Sequence, residues 1–304
     1  MNYKLPDFLI VGAAKSGTSS LANYLNSHPQ IFIPEEKELH FFLFANDPPI
    51  YLKNHILGPV LIWKFEDYIK FFQSAKEEVL GEASVTYLYS RAYNTVIKNI
   101  KKYHPNWQNL KIIIILRNPI DRAFSQYTTR LLNSESEPFS KAVQLWEERR
   151  KRNWSIAYDY LGFSYYFEPV KAYLDNFENT NVYLFEDLKE RPLWLIKDLF
   201  EFLGVDSSFV PPNLGKKYNV SGVPKSKFHE FFYNAAIKYN PFKPIVKPLL
   251  TEHTKERITN KVKKYVLTKP QIDMETREYL KNIFRDDILK LQALIKRDLS
   301  HWLK

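Results

Sequence analysis

The chain has 304 residues, of which 45% are hydrophobic and 16% aromatic, so it is long and apolar enough to form a sizeable core. Forty-four Lys and Arg residues against 34 Asp and Glu residues give a formal net charge of +10, which favours anionic partners without identifying them. Because the sequence contains no cysteine, disulfides, thiolate metal sites and thiol nucleophiles are excluded.

In chain order, four short apolar runs predict buried β-strands, because each run is too short for a helix. They are Phe8 to Val11, Val79 to Leu80, Ile112 to Leu116 and Val182 to Phe185. None approaches the roughly 20 apolar residues of a membrane helix, and the first is too short for a secretory signal. We therefore expect no membrane span and a cytoplasmic protein, unless an anchor has been removed from the chain.

Helical patterns alternate with these strands. They run through Leu21, Tyr24 and Leu25 to His28, from Asn118 and Pro119 to about Leu132, from Leu161 to Phe177, from Leu193 to Leu203 with Gly204 as C-cap, and from Pro270 onward. The alternation predicts a single α/β domain over residues 1–304, with a central parallel sheet of about five strands flanked by helices.

The loop after the first strand, Gly12 to Ser19, reads G-A-A-K-S-G-T-S. A Walker A loop has lysine directly after its second glycine, whereas this sequence has Thr18 there, which disfavours a standard ATPase or GTPase. A strand, a glycine-containing turn and a helix still form a phosphate cradle, in which Lys15 neutralises charge at the reacting end of the ligand. The alternative is an ordinary turn with a surface lysine.

The opening PDFLIVGAAKSGTSSLANYLNSHPQI resembles that of PAPS-dependent sulfotransferases, in particular the heparan sulfate and related carbohydrate branch with its many bacterial members. The resemblance implies a sheet related in topology to that of P-loop kinases, and a bacterial origin. It implies that the 5′-phosphosulfate is held by Lys15, Ser16, Gly17, Thr18, Ser19 and Ser20, with Lys15 at the bridging oxygen.

Residues 34–42 read PEEKELHFF and are similar to the K-E-x-x-F-F signature of the carbohydrate branch, in which the glutamate is the base. In an extended segment Glu38 and His40 point the same way, since side chains alternate along a strand. On a helix they lie about 200° apart, so at most one faces a cleft. The resemblance assigns Glu38 as general base, and His40 either accepts the proton too or orients the acceptor. The alternative is a solvated charge run before a core Phe-Phe pair.

The run Lys111 to Arg130 predicts a buried strand that delivers Arg117 to its carboxyl edge, where open α/β sheets place their ligands. Ser125 lies about two turns into the next helix, so both groups can converge on one phosphate. The motif R-N-P-x-x-R-A-x-S-x-Y resembles the family's 3′-phosphate site, with Arg117 and Ser125 as ligands. The alternative pairs Arg117 with Asp121 and bonds Ser125 within its helix.

Three further segments carry weaker signals. GEASVTYLY resembles the family's E-K-S-x-x-Y segment, with Ala83 in place of the lysine, and Tyr160 to Tyr166 resembles an element near the acceptor. The resemblance makes Glu82, Ser84 and Tyr165 candidate substrate contacts, although a strand end and core packing explain them as well. It also makes Lys225 and Lys227 candidate contacts of the adenosine phosphate, with a solvated basic loop as the alternative.

The resemblance implies an enzyme that transfers the sulfuryl group of PAPS to a hydroxyl or amine of a carbohydrate or other small acceptor, leaves PAP as product, and requires no metal. Two alternatives stay open. A P-loop-like small-molecule kinase needs a lysine after Gly17 and an acidic magnesium partner. A non-enzymatic polyanion-binding protein needs only the charge, but no nucleic-acid motif accompanies it, so we expect no specific nucleic acid partner.

Overall fold

A computed structural model describes residues 3–46, 62–131, 134–216, 222–226, 229, 262, 265–268 and 270–304. Its centre is a five-stranded parallel sheet in the order β2-β3-β1-β4-β5. The strands are β1 (Phe8–Gly12), β2 (Ile31–Phe32), β3 (Val79–Ala83), β4 (Lys111–Leu116) and β5 (Thr180–Leu184). A separate antiparallel pair joins β6 (Val223–Pro224) to β7 (Leu267–Thr268). The predicted α/β class and parallel sheet are confirmed.

Helices connect the parallel strands and cover both faces of the sheet. The described helices are α1 (Thr18–Leu25), α2 (Phe41–Phe44), α3 (Phe65–Gln73), α4 (Tyr93–Tyr103), α5 (Pro119–Leu131), α6 (Phe139–Gln144), α7 (Trp146–Lys151), α8 (Phe167–Asn176), α9 (Phe185–Glu190), α10 (Pro192–Leu203) and α11 (Met274–Ile295). In the ranges given above, no helix is both long and apolar enough to cross a membrane.

The core lies on both faces because β1 and β4 alternate their side chains between two apolar clusters. Leu9, Val11 and Ile114 face the cluster that packs against α4, α5, α8 and α11. Phe8 and Ile113 face the other cluster, which packs against α1 and α10. Strands buried on both sides read as unbroken apolar runs, which is why the sequence signals them so clearly.

The predicted strands all form, and a two-residue strand, β2, completes the five. Its length explains why periodicity does not signal it. The predicted helix from Leu161 to Phe177 is shorter than expected, since α8 begins at Phe167 after a 3-10 turn over Gly162–Ser164. The backbone N–H groups of Tyr166 and Phe167 donate to the Asp287 carboxylate of α11, at 2.9 and 3.1 Å, and this contact sets the helix start.

The C-terminal segment supports the turn after β4. Leu280, Phe284 and Ile288 of α11 are fully buried, as is Trp302 beyond the helix. The carbonyl of Trp302 accepts a hydrogen bond of 3.2 Å from Asn118 Nδ2. Asn118 Oδ1 in turn accepts from the first N–H groups of α5, as its predicted capping role requires. The end of the chain thereby holds the start of the helix that carries Ser125.

Candidate active site

The phosphate-type loop joins the end of β1 at Gly12 to the start of α1 at Thr18. Gly17 precedes the helix in the left-handed region, at φ 90°, and a Cβ added there would lie 2.6 Å from Leu188 Cδ2. The first hydrogen bond of the helix runs from Leu21 N–H to the Gly17 carbonyl. The start of α1 therefore presents backbone N–H groups and the positive end of the helix dipole at the carboxyl edge of the sheet.

Two side chains of this loop have polar atoms placed for an anion. Lys15, at φ 66°, directs its Nζ towards α5, where it donates to Thr129 Oγ1 at 2.9 Å. The hydroxyl of Ser16 is buried and has no hydrogen-bond partner among the described residues. An orphaned buried hydroxyl is a donor for which a bound phosphate oxygen is a suitable acceptor. The loop residues thus fit an anionic ligand.

Arg117 follows β4 and reaches across to the phosphate-type loop. Its NH1 donates to the Lys15 carbonyl at 3.1 Å, and its guanidinium carbon lies 5.0 Å from the Phe185 ring centroid. Burial lowers the pKa of Arg117. The alternative pairing with Asp121 is not seen, because Asp121 forms an ion pair of 2.9 Å with Arg277 instead. Two predicted anion-binding residues that are 102 residues apart in sequence are therefore in contact.

A cavity of about 430 Å³ opens beside Arg117 and Ser125. The helix α5 contributes one wall, and the segment that leads into α11 contributes the other; the lining residues are Arg117, Asp121, Phe124, Ser125, Thr128, Gly222, Pro270, Gln271, Ile272 and Arg277. The Ser125 carbonyl accepts from two threonine hydroxyls of its own helix, but the Ser125 hydroxyl donates to no described residue. The cavity therefore combines two arginines with an available hydroxyl.

Of the two lysines predicted for this region, Lys225 does not line the cavity. Lys225 is exposed, its backbone N–H pairs with the Val266 carbonyl at 3.0 Å, and its Nζ lies 5.5 Å from the Tyr265 ring centroid. Lys227 lies outside the described residues. Among the described residues, Arg277 is a cation on that wall of the cavity, and the sequence does not point to it because its partner Asp121 is 156 residues away. No local motif signals such a contact.

Glu38 lies before α2, on the other side of β1. Its backbone N–H donates to the Ala83 carbonyl at 3.0 Å, and its Oε2 accepts from the Val85 N–H at 3.0 Å. The Glu38 side chain is 31% exposed to solvent. Burial of the carboxylate raises the pKa of Glu38 to about 7, and the negative charge of Glu82 adds to this effect. A carboxylate with that pKa is suited to accept a proton at neutral pH.

The His40 side chain is only 1% exposed, so it lies behind Glu38 rather than beside a ligand. Its Nδ1 is 2.8 Å from Thr86 Oγ1 and 4.0 Å from Glu38 Oε2, while its Nε2 is buried with no hydrogen-bond partner among the described residues. Burial lowers the pKa of His40 to about 4, which keeps the imidazole neutral. The backbone at these two residues is neither extended nor right-handed helical, because Glu38 and His40 both have left-handed backbone angles, φ 62° and 57°.

The predicted substrate contacts are mostly enclosed. Glu82 is 1% exposed and Ser84 is fully buried, because their side chains hydrogen-bond to each other at 2.6 Å and to neighbouring groups. In this arrangement neither side chain is accessible from the surface of the protein. Tyr165 is half-buried and packs edge-on against Phe284 of α11, with ring centroids 5.2 Å apart. The structure brings Glu38 close to Glu82 and Ser84 but places Tyr165 against the C-terminal helix.

Two further observations concern the rest of the described chain. A second cavity, about 550 Å³, lies at the opposite edge of the sheet; it is lined by Asp7, Leu80 and Leu110, among others, at the amino ends of β1, β3 and β4. Within the described ranges, no group of three or more Asp, Glu or His side chains is placed to hold a metal ion.

Comparison with known proteins gives a consistent result. The family model described as "Sulfotransferase domain" matches residues 5–294. The crystal structure of a sulfotransferase from Alicyclobacillus acidocaldarius is 30% identical, has a TM-score of 0.72, and aligns over 99% of this chain and 100% of that chain.

Two curated relatives are much longer proteins. The bifunctional heparan sulfate N-deacetylase/N-sulfotransferase 4 of Mus musculus is 26% identical over 99% of this chain and 31% of its own length. The membrane-associated sulfotransferase kil1 of Dictyostelium discoideum is 33% identical over 40% of this chain and 22% of its own length. The chain therefore aligns with less than a third of either protein.

Proposed function

Because the chain belongs to the sulfotransferase family, whose domain matches residues 5–294, we propose that it transfers the sulfuryl group of PAPS to a hydroxyl or amine of a carbohydrate or other small acceptor. One observation carries the proposal: the hydrogen bond of 3.1 Å from Arg117 to the Lys15 carbonyl unites two anion sites on adjacent strands. A nucleotide with phosphates at both its 5′ and 3′ positions needs two such sites.

The residues for the donor lie on the β1 and β4 side. The start of α1 and the hydroxyls of Ser16 and Thr18 would hold the 5′-phosphate, together with the backbone of Gly17. Ser19 and Ser20 complete that group of donors. Arg117 and Ser125 would hold the 3′-phosphate, the arginine through two parallel N–H donors. Lys225 and Lys227 remain predicted contacts of this phosphate, as in the family motif.

The chemistry needs only a few groups. When bound, PAPS supplies the sulfuryl group, and the products are the sulfated acceptor and PAP. Lys15 places its ammonium at the bridging oxygen and stabilises the negative charge that develops there. Glu38 accepts the proton that the acceptor loses, which its pKa of about 7 permits at neutral pH. The resemblance predicts that His40 accepts the proton or orients the acceptor, and the burial of His40 leaves the proton-accepting role to Glu38. Catalysis is then positioning plus electrostatics.

The first test is thermal unfolding with 3′,5′-adenosine bisphosphate, ATP with Mg²⁺, and 5′-AMP. A ligand that binds only the folded protein adds about 2.7 kcal/mol at 100 times its dissociation constant. We expect this stabilisation from the bisphosphate alone, its loss in Arg117→Ala, and its retention in Arg285→Ala. Arg285 is a matched control, since it is an exposed arginine outside the cavity.

The second test is direct transfer. Wild-type protein incubated with PAPS and a panel of carbohydrate, amine and phenol acceptors should release PAP, and Glu38→Gln should bind the bisphosphate without turning over. Stabilisation by ATP with Mg²⁺ would favour the kinase alternative. Salt-sensitive binding of many polyanions, without a response to any nucleotide, would favour the polyanion-binding alternative.

A further inference from the structure

A buried carboxylate lies near the end of β3, beneath the segment that carries Glu38. Glu82 accepts three hydroxyl hydrogen bonds: Tyr68 donates to its Oε2 at 2.5 Å, and Ser84 and Tyr87 donate to its Oε1 at 2.6 and 2.8 Å. Its side chain is 1% exposed, and no basic side chain among the described residues forms an ion pair with it. A carboxylate without a counterion is costly to bury, so its presence here calls for a physical reason.

Two of the three hydroxyl groups also accept hydrogen bonds from the backbone of the segment after Glu38. The Ser84 hydroxyl accepts from His40 N–H at 3.2 Å, and the Tyr87 hydroxyl accepts from Phe42 N–H at 3.1 Å. Each hydroxyl has a single proton, and both protons point to the same oxygen of Glu82. Two relays thus converge on Oε1, which must act as an acceptor for both.

The segment needs this support because its backbone is unfavourable. Glu38 and His40 have φ angles of 62° and 57°, in the left-handed region, which residues with a Cβ adopt only where the surroundings hold them there. Two more hydrogen bonds complete the docking, from Glu38 N–H to the Ala83 carbonyl and from Val85 N–H to Glu38 Oε2, both at 3.0 Å. The position of the Glu38 carboxylate therefore depends on the contacts of residues 38–42 with residues 83–87.

We propose that Glu82 is a positioning residue. It fixes the segment of residues 38–42 through Ser84 and Tyr87, and it thereby holds the Glu38 carboxylate in place. The inference deepens the proposed function, since it rests on Glu38 as the base. A glutamine at position 82 keeps one oxygen that Ser84 and Tyr87 can share, and only Tyr68 loses its acceptor, whereas a leucine of similar volume accepts from none of the three hydroxyl groups. Comparison of the two variants therefore separates the loss of charge from the loss of the acceptors.

The same geometry couples the charges of the two glutamates. The groups that face Glu38 are Lys37, His40 and Glu82, and those that face Glu82 are Tyr68, Tyr87 and Tyr173 together with Glu38. The negative charge of Glu82 raises the pKa of Glu38, and the nearby Lys37 lowers it. Removing the charge at position 82 should lower the pKa of Glu38, whereas a purely structural defect should leave that pKa in place.

The experiment compares Glu82→Gln with Glu135→Gln. Glu135 is a matched control, because it is a buried carboxylate whose hydrogen bonds come from Tyr160 and Arg149 and not from the residues around Glu38. We expect Glu82→Gln to keep the stabilisation by the bisphosphate, to lower kcat about 10- to 100-fold, and to shift the acidic limb of the pH–kcat profile to lower pH. The control should lose stability without either change in kcat or pH profile.

Amide hydrogen exchange gives a readout that needs no turnover. In Glu82→Leu, which removes both acceptor oxygens, the amides of His40 and Phe42 should exchange faster, and in Glu135→Leu they should not. If Glu82→Leu does not fold, Ser84→Ala should expose the His40 amide alone and Tyr87→Phe the Phe42 amide alone. Unchanged exchange of these two amides would overturn the inference whatever the activity. Faster exchange in a protein whose wild type transfers no sulfuryl group would support the positioning and overturn the proposed function instead.

Discussion

The Glu38 carboxylate and the His40 imidazole lie 4.0 Å apart, and burial moves their pKa values in opposite directions. The pKa of Glu38 rises to about 7 and that of His40 falls to about 4. Burial disfavours the charged form of each group, which explains both signs. At neutral pH the imidazole is therefore uncharged, and Glu38 titrates next to a neutral neighbour rather than within an ion pair.

The first prediction concerns the pH dependence of turnover. Because Glu38 must be deprotonated to act as a base, kcat should fall about tenfold per pH unit below its pKa and level off above it. The limb should lie near pH 7, the pKa of Glu38. Measuring kcat from roughly pH 5.5 to 9 checks this. If the limb disappears in His40→Asn, the titrating group is His40 and not Glu38, which would contradict the prediction.

The second prediction is that Glu38→Gln stabilises the protein at alkaline pH while abolishing turnover. The folded pKa of about 7 exceeds the ordinary value of 4.5, so the folded chain binds more protons between these values, and stability falls as pH rises through this window. Removing the carboxylate should add on the order of 1 kcal/mol at pH 8 and little below pH 4.5. Urea unfolding at both pH values measures the difference. A variant less stable than wild type at pH 8 would refute it.

The third prediction concerns the left-handed glycine before α1. In Gly17→Ala the new Cβ would meet Leu188 Cδ2 at 2.6 Å, whereas Gly215, at a similar φ of 82°, has no neighbour within 4 Å. Gly215→Ala therefore carries the conformational cost alone. We expect the free energy of unfolding to fall by about 1 kcal/mol in both variants. In Gly17→Ala it should fall by about 1–2 kcal/mol more, and the bisphosphate should bind more weakly. Equal losses in denaturant melts would show that the loop tolerates the contact.

The fourth prediction concerns Arg277, which shares the cavity with Arg117 and pairs with Asp121 at 2.9 Å. Loss of one charge-assisted hydrogen bond should weaken bisphosphate binding about tenfold in Arg277→Ala. Asp121→Asn should strengthen it, because the variant removes a negative charge from the cavity wall. Titration calorimetry at two salt concentrations measures both, with Arg285→Ala as the control for net charge. Identical affinities for Arg277→Ala and the control would exclude this contact.

Part of this architecture follows from local sequence. The fully buried strands are unbroken apolar runs. Asn118 and Pro119 predict the start of α5. Gly204 ends α10 at φ 82°, as a C-cap glycine does. The placement of Arg117 at a ligand-binding edge is also predictable, since parallel strands present their carboxyl ends together. These features depend on contacts close in sequence or on the general rules of parallel sheets.

Other features depend on distant residues and leave no local signal. The enclosure of His40 follows from its contacts with Ser84 and Thr86, which are 44 and 46 residues away. A short charged stretch followed by two phenylalanines gives no indication that the histidine turns inward. The ion pair of Arg277 with Asp121 is likewise fixed only when α11 packs beside α5. Hydrophobic periodicity predicts that these elements pack, but not which polar side chains meet.

The place of β1 at the middle of the sheet has a consequence for how this protein can be altered. β3, with Glu82 and the docked segment of Glu38, lies on one side of β1, while β4, with Arg117, lies on the other. The hydrogen bonds of Glu82 with Tyr68, Ser84 and Tyr87 do not include Arg117. Under the proposed function, directed evolution can therefore vary the loops after β2 and β3 to select new acceptors, while the proposed donor residue Arg117 on the β4 side is unchanged.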